Sequence, residues 1–119
     1  LDSFFTALKP GGVLVLAVPN ADSWDAKHYK SFWAAYDVPR HRWHYNKYAI
    51  TFLGRHAGFE LLSTKNMYWD AFYIALLSEK YRNANAPWLI AFCKGLFANL
   101  KGWGTTNASS LAFFLQKPK

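Results

Sequence analysis

Apolar residues run without interruption from Val13 to Val18, and a second run fills the centre of Ser110–Gln116 from Leu111 to Leu115. Turn-forming residues bound the first, with Lys9-Pro10-Gly11-Gly12 before it and Pro19-Asn20 after it. Runs of this length that are apolar on both faces read as strands covered on both sides. A third strand, Phe59–Tyr68, carries Glu60, Thr64, Lys65 and Asn66 and suits a sheet edge. Asp2–Leu8 reads as a short helix stopped by the proline and paired glycines. Asn46 is placed to cap a helix with Ile50, Leu53 and Ala57 on one face, and Gly58 to end it in a left-handed conformation. A further helix begins at Asp70 and runs to about Tyr81, Asn83-Ala84-Asn85 breaks it, and Pro87 opens the next.

On that last helix Leu89, Phe92, Leu96 and Leu100 share a face, with Cys93 beside them. Such a stripe is expected to pack on its own domain, with Cys93 as inert core; contact with a membrane or partner is the alternative. Ala86 to Trp103 falls short of the roughly 20 clean apolar residues that a membrane span needs, and Lys94, Asn99 and Lys101 interrupt it.

The first two strands are joined through a helix, which calls for a parallel, right-handed crossover, and the last strand fits between them. The expectation is an α/β fold with a three-stranded mixed sheet in the order first-third-second, the last strand antiparallel, and covering helices. Residues 1–119 form one domain with a helical insertion at about 70–103. Pro19 to Asn46 has no sustained period and is rich in Trp, Tyr and His; irregular segments this long tend to carry function.

Composition narrows the classes. The 119 residues are 52% hydrophobic and 19% aromatic, enough for one real core, and the moderate net charge of +7 reads most simply as solubility plus some attraction to anionic partners. One cysteine excludes an internal disulfide and fits a reducing, cytoplasmic compartment. No basic-then-apolar leader opens the chain, and a start at Leu1 rather than Met points to a truncated or processed product. His41-x-x-His44 has ligand spacing, with His28 upstream, but nothing completes the three or four ligands of a zinc site, so no metal is expected.

Leu8 to Asn20 (LKPGGVLVLAVPN) resembles the helix-turn-strand that leads into the fifth strand of class I S-adenosylmethionine-dependent methyltransferases. Trp33 to Asn46 (WAAYDVPRHRWHYN) resembles the W…D-x-P-R-H…H-[FY]-[ST] segment of their ubiquinone-biosynthesis-like, type 11/23 branch, and Ala57 to Glu60 (AGFE) fits the same branch. Asn46 stands where Ser or Thr is more usual, as an equivalent cap. The resemblance covers roughly residues 1 to 68. It implies a partial Rossmann-like fold whose antiparallel seventh strand lies between the fifth and sixth, the same order that the pattern favours. It also implies that S-adenosylmethionine is held chiefly by a glycine loop after the first strand and an acidic residue after the second. This chain contains neither, nor any GxGxG, so no cofactor-binding residue is assigned. The expectation is a substrate-side, C-terminal half, inactive without a missing N-terminal half as its partner. Its methyl acceptor is left open, since the fold suits small molecules, lipid precursors, sugars and tRNA bases alike.

Within that half, ligands should sit beyond the carboxyl ends of strands, where Asn20 lies. His41 is the candidate general base or orienting donor, against a loop-pinning role. Arg40 could clamp a substrate anion or pair with Asp37, and Trp33 and Tyr36 could form an aromatic wall or anchor the loop.

Two other classes compete. Lys27, Lys30, Arg40, Arg42 and Lys47 interleave with aromatics as a nucleic-acid surface would, yet without a recognition motif. Trp88, Phe92, Phe97 and Trp103 with Lys94 and Lys101 would suit a membrane surface. The edge of Val13–Val18 has no charge, proline or bulge to discourage pairing, so a homodimer through it is also expected.

Overall fold

The computed structural model describes residues 1–119. In chain order it contains α1 (Asp2–Ala7), β1 (Val13–Pro19), α2 (Trp24–Tyr29), two 3-10 turns (Lys30–Phe32 and Ala34–Tyr36), α3 (Lys47–His56), β2 (Glu60–Asn66), α4 (Tyr68–Tyr81), α5 (Pro87–Gly102) and β3 (Ser110–Gln116). The sheet order is β1-β3-β2. Phe113 of β3 lies opposite Leu16 on one side and Thr64 on the other, and both ladders are antiparallel. β1 and β2 therefore run in the same direction without touching, with the reversed strand between them.

The turn into β1 is held from the far end of the chain. Gly11 adopts φ +77 and donates its N–H to the Lys117 carbonyl at 2.9 Å. Lys117 Nζ donates to the Phe5 and Leu8 carbonyls at 2.8 and 2.9 Å, satisfying acceptors that the end of α1 leaves open. Asn46 caps α3 by accepting the Ala49 N–H at 2.9 Å. Gly58, at φ +91, faces the Phe5 ring, which lies 3.0 Å from where a Cβ would stand.

Two separate cores result. Leu111, Phe113 and Leu115 of β3 pack with Ile50 and Phe59, and Leu14 and Leu16 of β1 join them. Tyr29, Trp33, Ala35, Ile74 and Ala91 form the other, where the segment after β1 meets α4 and α5. The molecule is correspondingly elongated, 53 × 32 × 18 Å.

Three expectations need correction. β1 is covered on one face only: Leu14 and Leu16 are half-buried, while Val13 and Val15 on the other face are exposed, Val15 by 56%. α5 is turned the opposite way from its large apolar stripe. Ala91, Gly95, Ala98 and Gly102 face inward, and Leu89, Phe92, Leu96 and Leu100 face out. Close approach is the reason, since a Cβ at Gly95 would stand 2.6 Å from Phe72 Cδ1 and one at Gly102 3.0 Å from Ala108 Cα. Cys93 is accordingly exposed rather than core. No helix is long and apolar enough to cross a membrane.

Candidate functional site

β1 ends at Pro19, and the segment from Asn20 to Asn46 folds back over that end. Ser23 starts it by accepting the Ala26 N–H as the cap of α2. The Trp33 indole then buries itself and donates Nε1–H to Asp25 Oδ2 at 2.8 Å. The Ala34 N–H donates to Ser78 Oγ of α4 at 2.9 Å, and that hydroxyl donates onward to the Ile74 carbonyl at 2.7 Å. Asp37 closes the second 3-10 turn in a left-handed conformation (φ 39, ψ 48), which an Asp tolerates. From there the chain doubles back past β1.

Two adjoining cavities open there. Both are lined by Ala17, Val18 and Pro19 of β1 and by Arg40 and His41. One, of ≈ 290 Å³, continues past Trp33 to Trp43 and Tyr45. The other, of ≈ 540 Å³, continues along Asp70, Tyr73 and Tyr81 of α4.

His41 is oriented at this junction. Its Nδ1 lies 3.1 Å from the Ala35 carbonyl oxygen. A carbonyl only accepts, so this contact assigns the hydrogen to Nδ1 and leaves the lone pair of the neutral ring on Nε2. Arg40 Nη1 meets Asp37 Oδ2 at 3.1 Å in an exposed pair, which costs little to open. His44 is pinned in the same manner, with Nε2 3.1 Å from the Tyr36 carbonyl. The two histidines of the H-x-x-H spacing thus each hold a backbone oxygen, and no group of three metal-ligating side chains forms.

Of the residues singled out in the sequence, the structure brings Arg40, His41 and Trp33 to the cleft. Asn20 and Tyr36 are not among its lining residues. Asn20 is buried, its Nδ2 donating to Asn107 Oδ1 at 2.8 Å and the Ala108 carbonyl at 3.1 Å, its Oδ1 accepting the Asp22 N–H. Tyr36 packs edge-on between Trp33 and His44, with ring centroids 5.1 and 4.7 Å away. Sequence reasoning missed Asp70, Tyr73 and Tyr81. Their helical spacing, completed by Leu77, was the available signal.

Behind the cleft lies a buried ionisable cluster. Burial raises the Tyr29 phenol well above its ordinary range, and the neighbouring Glu79 and Asp25 add to the effect. His28 is lowered, first by burial and then by Lys94, whose Nζ is 2.7 Å from His28 Nε2, and by Arg82.

Residues 1–64 match the family model described as a methyltransferase domain. That is more than half of the chain, and the protein belongs to this family. The match takes in α1, β1, the cleft-forming segment, α3 and most of β2, while α4, α5 and β3 lie beyond it. No curated protein matches the chain.

Proposed function

We propose that this chain is the acceptor-side half of an S-adenosylmethionine-dependent methyltransferase of the ubiquinone-biosynthesis-like branch, with the cofactor held by elements outside residues 1–119. The observation that carries the reading is His41: its ring is oriented by the Ala35 carbonyl and its Nε2 is left free at the carboxyl end of β1. That end is where open α/β sheets bind ligands.

The residues present do not fit the cofactor itself. β1 exits through Pro19-Asn20 rather than glycines, and Asn20 is spent on the loop around Asn107. The carboxylates at the cleft are Asp37, paired with Arg40, and Asp70.

What the chain supplies is the acceptor side. An acceptor hydroxyl or amine in the cleft gives its proton to His41 Nε2, and the forming imidazolium keeps its Nδ1–H on Ala35. Arg40 leaves Asp37 for an anionic substituent on the acceptor. Trp33 and Trp43 wall one side, Tyr73 and Tyr81 the other. The uncovered face of β1 at Val13 and Val15 supports further elements of the domain seated there.

Titration calorimetry with S-adenosylmethionine tests the division. The 119-residue chain should bind more weakly than about 100 μM, roughly 5.5 kcal/mol, and a polypeptide extended upstream should bind more tightly. Tight binding by the chain alone would place the cofactor site within these residues and contradict the proposal.

A further inference from the structure

We infer that the outward face of α5 docks on an anionic lipid surface, lying flat in the headgroup region. This stands independently of the proposed reaction.

The face is apolar by construction. Leu89, Phe92, Leu96 and Leu100 recur every three or four residues along one side of α5, and Phe92 is 59% exposed. Trp88 and Trp103 mark the two ends of this stripe, 68% and 74% exposed. Phe92 stacks on Phe72 of α4 at 5.7 Å, which carries the patch across to Trp69, 86% exposed. On the same side Tyr68, Leu96, Leu100 and Trp103 line an apolar groove of ≈ 280 Å³. Monomeric soluble proteins rarely leave so large an apolar patch uncovered without a use for it.

The helix cannot turn this face inward. Gly95 rests against Phe72 and Gly102 against Ala108 with no space for a single added carbon at Gly95. Rotating α5 to bury Leu96 would drive a leucine into that contact. Exposure is therefore the consequence of close packing by the small residues, not of a poor fit.

Charge selects the occupant. No acidic residue follows Glu79 in the chain, and Glu79 is itself buried. Of the basic residues on α5 and at the end of α4, Lys80 and Lys101 are exposed, while Lys94 is turned to His28 with Nζ 2.7 Å from its Nε2 and Arg82 meets Glu79 at 3.9 Å. Asp70, next to Trp69, lines the cleft instead, and the whole chain carries +7. A two-fold copy seated on this face would set basic groups against basic groups, whereas lipid phosphates complement them. Tryptophans at both ends of an apolar stripe flanked by lysines match the wet-to-apolar gradient at a bilayer surface. At 16 residues α5 is about 24 Å long, suited to lie in that surface rather than to cross it.

Cys93, the single cysteine, sits exposed beside the stripe and can carry a polarity-sensitive fluorophore without any substitution. Mixed with phosphatidylcholine vesicles containing phosphatidylglycerol, the labelled chain should shift to the blue and sediment with the lipid. Partition should fall about tenfold on pure phosphatidylcholine and again in high salt. F92E/L96E should lose about tenfold or more of the binding with its far-UV spectrum unchanged, since both side chains are exposed. Should that variant fail to fold, K80E/K101E, which leaves the stripe intact, should also lose about tenfold. Absence of partition onto anionic vesicles overturns the inference. So does full binding by either folded variant, and so does a blue shift that grows with protein concentration without lipid, which would make a second copy the occupant.

Discussion

His41 and Ala35, six residues apart, meet where the chain doubles back, Nδ1 of the one 3.1 Å from the carbonyl oxygen of the other. Ala35 in turn follows Ala34, whose N–H is held by the buried Ser78 hydroxyl of α4. The ring at the mouth of the cleft is thus positioned through a 3-10 turn by a helix that lies outside the matched family segment.

Trp33 is where this support is most exposed to test. Its indole N–H is the hydrogen bond that Asp25 has, and Asp25 Oδ1 has no partner at all. Trp33→Phe leaves a buried carboxylate without a donor and should cost about 2–3 kcal/mol in urea unfolding. The double variant W33F/D25A should cost less than the sum of the two single changes, because the unpaired charge is gone. Additive losses would show that the pair is not coupled.

Gly95→Ala offers a test by sign. In an exposed helix that change stabilises by about 0.8–1 kcal/mol. At Gly95 the new methyl meets the Phe72 ring at 2.6 Å and its Cα at 3.0 Å, so about 1–3 kcal/mol should be lost instead. A gain in the urea midpoint would mean that α5 packs more loosely than described.

His28 should give the stability an acid limb. Burial and the nearby Lys94 and Arg82 hold its folded pKa below the ordinary 6.5. A depressed histidine contributes its stability in full above 6.5 and loses it as the pH falls through the folded value. His28→Phe keeps a ring stacked on Trp24, now 4.7 Å away, while removing the titration. Between about pH 7.5 and 5 its urea midpoint should fall less than that of the wild type. Parallel curves would assign the acid limb to other groups.

β1 has a free edge beside its exposed valines, and we propose that the chain self-associates there, most simply as a two-fold pair. Light scattering across a dilution series should show dimers at high micromolar concentration, and Val15→Lys should shift them to monomer. A wild type that stays monomeric would mean that the edge is protected.

How far the sequence spoke for the structure depended on whether local chemistry or packing decided each element. Pro10 with Gly11, the Asn46 cap, Gly58 and Pro87 mark the element ends by backbone chemistry alone, and they bound α1, α3 and α5. The order β1-β3-β2 followed from which runs were apolar on both faces and which carried polar residues. α5 shows the limit. Its period offers two stripes, and hydropathy favours the leucines, but the room left by Phe72 admits only the small residues. α2 escaped notice because six residues are too few to display a period, although Ser23 was a legible cap. At the site, His41 and Arg40 were legible within one contiguous segment. Asp70, Tyr73 and Tyr81 reach the cleft only because α4 packs against the 3-10 turns.

The most direct measurement is transfer of a labelled methyl group by the upstream-extended polypeptide, compared between the wild type and His41→Ala with the melting temperature of each. Loss of a general base should lower turnover by about a hundredfold or more. The melting temperature should hardly move, since His41 is exposed and makes one side-chain hydrogen bond. Turnover and melting temperature that fall together, or a variant with normal specific activity, would contradict a catalytic His41.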